Sequence, residues 1–134
     1  MDVAAARARF AAARVARLAT VRSDGTPHLV PVTFALRGDT VVIAVDHKPK
    51  RTNDLQRLRN IEANPRVSLL ADEYTEDWTR LWWVRADGTA RVLRDGEPPA
   101  ELVAKYPQYA KRPPAGPVIH VAITSWRGWA ASAG

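Results

Sequence analysis

Apolar and polar positions change their period several times along this chain, and each change marks an element. Leu18 to Val21 is a short, mostly apolar run, Ser23-Asp24-Gly25 carries turn chemistry, and His28 to Leu36 is extended again. That reads as strand, turn, strand. Thr40 to Val45, after the Gly38-Asp39 turn, predicts a further strand. Between Thr52 and Ala63 the spacing turns helical, because Leu55, Leu58 and Ile61 recur every three residues as a narrow apolar stripe. Asn64-Pro65 ends that helix, since the residue before a proline avoids the α region, and Val67 to Leu70 follows as a buried strand.

The polar stretch Asp72 to Asp77 reads as a loop. Beyond it, Leu81 to Val84 and Ala90 to Leu93 are apolar runs on either side of Asp87-Gly88. Two hairpin strands would give this pattern, as would one long strand bent at a glycine bulge, and the bent strand is preferred. Pro98-Pro99 opens a helix over Ala100 to Tyr106, which Pro107 ends. Lys111 to Gly116 is a Pro-rich loop, and Pro117 to Thr124, rich in Val and Ile, is the last buried strand. The Ala-rich N-terminus has no Gly or Pro before Gly25, so Asp2 opens a helix over residues 1–16 that packs lightly as a lid across one end of a barrel. The sum is about six strands and two or three short helices that do not alternate regularly with them. This pattern predicts a mainly β (α+β) fold, a small antiparallel barrel in a single domain over residues 1–134, rather than a βαβ sheet.

Composition narrows the chemistry. Hydrophobic residues make up 46% and charged residues 25%, as in ordinary globular chains, and no apolar run is long enough to span a membrane. The chain has no Cys, which excludes disulfides and thiolate metal sites and fits a reducing, cytoplasmic setting. His28, His47 and His120 are far apart and match no zinc-enzyme spacing. No serine sits in a G-x-S-x-G context, and both the P-loop and the G-x-G-x-x-G turn are absent.

The net charge of +6 admits nucleic acid, an anionic membrane surface or a phosphorylated small molecule. The cations are dispersed, however, and four carboxylates between Asp72 and Asp77 would interrupt a basic stripe. The small molecule is therefore preferred to nucleic acid. Its phosphate has an obvious candidate site. Lys48, Lys50 and Arg51 lie just ahead of Thr52 and Asn53, either of which caps the next helix, and helix amides with adjacent cations bind anions. Arg57 or Arg59 extends this patch by a turn. Trp82 and Trp83 are adjacent on a strand and so point to opposite faces.

The ordered series R-L-A-T-V-x-x-D-G-x-P-H-x-V-P-V-x-F, a strand, a Lys/Arg-rich turn, an L-x-x-L helix and N-P-R-V-S-L-L resembles the pyridoxamine-phosphate-oxidase-like split-barrel superfamily. It is most similar to the actinobacterial branch that uses the deazaflavin F420, over roughly residues 14–129. The resemblance implies a six-stranded FMN-binding-type split barrel and a homodimer with the cofactor between two copies. Lys48, Lys50, Arg51 and Thr52 would then take the cofactor phosphate, Pro31, Val32 and Thr33 would border the ring, and Trp78 would stand near it. Redox chemistry would reside in F420 or, alternatively, FMN, acting on a small organic substrate with no metal. A cofactor-carrying module without turnover, using the same site, is the second class of function.

Overall fold

One antiparallel sheet organises the chain. The computed structural model describes residues 1–45 and 55–132. Its strands are β1 (Ala16–Val21), β2 (Pro27–Val32), β3 (Ala35–Arg37), β4 (Thr40–Ala44), β5 (Arg66–Glu73), β6 (Trp82–Leu93) and β7 (Val118–Ala130), with helices α1 (Val3–Ala12), α2 (Gln56–Ala63), α3 (Ala100–Lys105) and α4 (Pro107–Lys111). The strand order is β2-β1-β5-β6-β7-β4-β3.

The expected six strands become seven because the extended run from His28 to Leu36 is divided. β2 and β3 lie at opposite ends of the strand order although only Thr33 and Phe34 separate them. Phe34 leaves the ladder: its side chain is fully buried, and its backbone N–H and C=O both meet the Tyr106 hydroxyl, at 3.1 and 3.0 Å. Two edge strands joined by two residues force the sheet to curl until its edges approach. The result is an open barrel whose split falls at Thr33.

β6 is one bent strand, with a register shift between Asp87 and Gly88. β7 runs past Thr124 to Ala130, so the expected last strand is longer than its Val/Ile-rich part. Alternate residues point inward along β1 and β5, where Ala16, Leu18, Val67, Leu69 and Ala71 are buried. Each fully buried Leu or Val is stabilised by about 1.5–3 kcal/mol relative to exposure.

The helices close the core. Asp2 caps α1 by accepting from the Ala5 N–H at 2.8 Å. Only one face of α1 is buried, through Ala6 and Phe10, and Phe10 stacks on Phe34 with ring centroids 4.7 Å apart. Val3 and Val15 stay exposed, as a lightly packed lid requires. In α2, Leu58 and Ile61 are buried, and the buried Asn60 amide donates to Thr20 Oγ at 2.9 Å. The helix begins later than expected, at Gln56 with Leu55 as its extended cap residue, and the expected caps Thr52 and Asn53 lie outside the described residues. No helix among the described residues is long and apolar enough to cross a membrane.

Candidate functional site

The residues expected to border a ring sit where the barrel is split. Pro31 is exposed on β2, opposite Arg17 of β1. Val32 turns into the core at 6% exposure, so only its backbone faces outward. Thr33 is half-buried at the crossing between the edge strands. Since β2 ends the strand order, one side of its backbone has no strand partner among the described residues. Trp78, in the 3₁₀ turn Trp78–Arg80 between β5 and β6, is 75% exposed. Strand directions put it at the same end of the sheet as Thr33, with β1 and β5 between them. Lys48, Lys50, Arg51 and Thr52 lie outside the described residues.

The structure adds a wall that the sequence did not signal. α3 ends at Lys105, just before Pro107 as expected, but Pro107 also serves as the first residue of a further helix, α4. This extra turn carries Tyr109 back to the split, where its hydroxyl lies 2.9 Å from Thr33 Oγ. Between them opens a cleft of about 500 Å³ lined by Arg14, Thr33, Tyr106, Pro107, Gln108 and Tyr109. The tyrosine rings meet edge to face at 5.7 Å. A Y-P-x-Y segment, with proline suited to a first helical turn, was the only available cue.

Tyr106 holds this wall in place. Its hydroxyl accepts from the Phe34 N–H and can donate to the carbonyl of Phe34 or of Arg14, each at 3.0 Å. Tyr106→Phe leaves that buried N–H unpaired and is expected to cost about 1–3 kcal/mol in urea unfolding. Beside it, Lys105 Nζ donates to the Ala13 carbonyl at 2.7 Å and sits 3.8 Å from the Phe34 ring centroid. Burial, aided by the nearby Arg14 cation, pulls the Lys105 pKa from 10.5 down to about 8. The folded protein then releases this proton where the unfolded chain retains it. Stability is expected to rise with pH from about 8 towards 10, and Lys105→Met should flatten that rise in urea titrations at stepped pH.

A second feature lies on the α2 side of β2. The His28 ring buries an Nδ1 that has no hydrogen-bond partner among the described residues. Burial, then the charges of Arg22 and Arg57, lowers its pKa and keeps it neutral near pH 7. An orphaned polar atom among cations suits an anionic or polar ligand group.

The outer face of the sheet is also unusual. Strand pairing lines up Pro31, Arg17, Leu70, Arg85 and Arg127 in one exposed row. Asp72, Trp83 and Trp129 form a parallel row. Arg85 and Arg127 stand directly opposite each other, an unfavourable pairing in isolation. Arg85 is held by Asp87, whereas Arg17 and Arg127 have no carboxylate partner among the described residues. Leu29 at 65% and Trp129 at 45% exposure add apolar area to this face.

Comparison with known proteins agrees with the architecture. A family model described as pyridoxamine 5'-phosphate oxidase matches residues 3–130. A conserved hypothetical protein of Mycobacterium tuberculosis superposes with a TM-score of 0.76 at 20% identity, covering 98% of this chain and 86% of its own. An FAD-binding protein of Mesorhizobium loti gives 0.72 at 21% identity, covering 96% and 94%. An FAD-binding protein of Mycobacterium smegmatis gives 0.63 at 23% identity, covering 96% and 95%. At these identities the likeness shows a shared fold. No curated protein matches the sequence.

Proposed function

Because the chain belongs to the pyridoxamine 5'-phosphate oxidase family, we propose that it is an oxidoreductase that binds a flavin-type cofactor at the split of its barrel. The observation that carries this reading is the junction at Thr33. There a strand edge without a partner among the described residues, a tyrosine-walled cleft and the exposed Pro31 meet. A tricyclic ring with carbonyl and N–H groups on its rim fits an edge strand that offers free backbone groups. Pro31, Val32 and Thr33 would border the ring, with His28 and Arg57 towards its polar tail. The basic residues Lys48, Lys50 and Arg51, with Thr52, would take the phosphate. The cofactor would supply hydride transfer; the chain's own residues bind, orient and exclude water.

F420 is the first candidate, because the sequence motifs resemble the deazaflavin branch. A flavin, FMN or FAD, is the second reading, favoured by two structural neighbours named as FAD-binding. Titrating the purified protein with each, followed by cofactor fluorescence, decides between them. F420 is expected to bind more tightly than FMN, with no change on adding EDTA. Stoichiometric FMN or FAD binding with none by F420 would replace the first reading with the second. Anaerobic spectra with reduced cofactor and candidate acceptors separate an enzyme from a carrier, since a carrier shows no turnover.

The reading includes a homodimer, with Trp78 of one copy near the ring site of the other. A two-fold interface must be self-complementary, and this outer face carries Arg17 and Arg127, without carboxylate partners among the described residues, and the Asp72 carboxylate beside exposed Leu29 and Trp129. Sedimentation equilibrium is expected to give twice 14.8 kDa. The double change Leu29→Glu, Trp129→Glu should shift the protein to monomer at micromolar concentration and lower cofactor affinity with it. A wild-type monomer at that concentration would refute the dimer.

A further inference from the structure

We infer that the outer face of β4, β7 and β6 carries a second small-molecule site, which takes the oxyanion head of a compact phosphate ester. Strand pairing builds it. Thr40 of β4 and Thr89 of β6 stand directly opposite Ala122 of β7, one on each side. Two residues along, and so on the same face, His120 of β7 stands opposite Arg91 of β6. Ala122 offers only a methyl group, and the larger side chains around it enclose a dip of about 210 Å³. Two strand spacings separate the threonines, ~10 Å between Cα atoms, which leaves room for one tetrahedral group between their hydroxyls.

Every polar side chain around this dip can donate, and none is engaged. The Thr40 and Thr89 hydroxyls, the His120 ring and the Arg91 guanidinium have no hydrogen-bond partner among the described residues. Arg91 has no carboxylate partner among them either. Glu101, whose charge reaches His120, is held by both arms of Arg37 at 2.7 and 2.8 Å. Burial, then the charges of Arg37 and Arg91, lowers the His120 pKa against the opposing effect of Glu101. An incoming oxyanion relieves that excess of positive charge and supplies the acceptors that four donors lack. A second cleft, of about 240 Å³, shares the His120 wall and gives the rest of the ligand a place. Leu93, Pro98, Pro99 and Val118 form its apolar side, while Asp95 and Glu97 make part of it acidic. Like charges brought together are costly, so the body that fits is short and neutral or cationic. None of these residues lines the barrel split, and the site does not rest on the cofactor reading.

The test follows the imidazole resonances of the whole chain by NMR while sulfate, inorganic phosphate, phosphoethanolamine or phosphoglycolate is added. Sulfate does not titrate near neutral pH; it is expected to shift His120 saturably and to raise its pKa by about one unit. The same shift should persist in the Lys50→Ala, Arg51→Ala protein, which separates this site from anion binding at the basic turn. Phosphoethanolamine should bind more tightly than inorganic phosphate, and phosphoglycolate, with its added carboxylate, more weakly than phosphoethanolamine. Arg91→Gln should weaken sulfate binding tenfold or more, as the loss of one charge-assisted bond implies. Ala122→Leu fills the dip without removing a donor and should abolish binding, whereas Arg112→Gln, at another exposed position, should leave it intact. The wild-type shifts give a readout that no variant's folding can compromise. A His120 resonance that does not move, unchanged affinity in Ala122→Leu, or equal losses in Arg91→Gln and Arg112→Gln would overturn the site. Phosphoethanolamine binding no better than inorganic phosphate would overturn the ester.

Discussion

Replacing Lys50 and Arg51 together by alanine is expected to weaken cofactor binding by roughly a hundredfold or more. Each charge-assisted bond to a phosphate contributes on the order of 1.5–3 kcal/mol, and about 1.4 kcal/mol corresponds to a factor of ten. The expectation rests on the two charges, not on a helix terminus at Thr52, because α2 begins at Gln56. Folding is expected to change little, since lysine and arginine ion pairs at protein surfaces seldom contribute more than ~1 kcal/mol to stability, and urea unfolding of the double variant checks this. Arg91→Ala serves as the control for net charge, being exposed on β6. Fluorescence titration of the three proteins decides the matter. Equal losses in both variants would mean diffuse electrostatic attraction and no phosphate clamp.

The second large effect concerns the fold. Gly88 sits at the bend of β6, and a Cβ built there would collide with the backbone carbonyl of Ala122 on β7. A paired strand cannot give way as a flexible side chain can. Gly88→Ala is therefore expected to destabilise the protein by about 3 kcal/mol or more, at or beyond the upper end for overpacking. The neighbouring exposed Thr89→Ala should stay within about 0.5 kcal/mol. Urea unfolding of both variants, with equal slopes confirming the same unfolded reference, measures the difference. A midpoint for Gly88→Ala equal to the wild type would show that β6 and β7 do not approach as closely as described. The bend has a positional consequence too, since β6 spans both β5 and the full length of β7.

The elements themselves were written locally. Asp2 as a cap, the stripe of Leu55, Leu58 and Ile61, the stop at Asn64-Pro65 and the single bent strand at Gly88 all follow from short-range rules, and each appears in the structure. The opposed faces of Trp82 and Trp83 likewise needed only the two-residue period of a strand. The site is less local. Pro31 and Thr33 could be named by resemblance, but Arg14 and Tyr109 could not: Tyr109 meets Thr33 76 residues away through an extra turn begun by Pro107, and Arg14 joins them only as a lining residue of the folded cleft.

What the sequence by itself determined is the type and order of most elements, β3 and α4 excepted, for periodicity, caps and turn residues act within a few positions along the chain. What only the tertiary structure decided is where that chain meets itself. The run from His28 to Leu36 has one extended pattern, yet it serves opposite edges of the sheet. Phe34 leaves the ladder because a core cavity is there to receive its ring and the Tyr106 hydroxyl is there to satisfy its backbone. Tyr106 lies 72 residues away, and no local pattern encodes a partner at that distance.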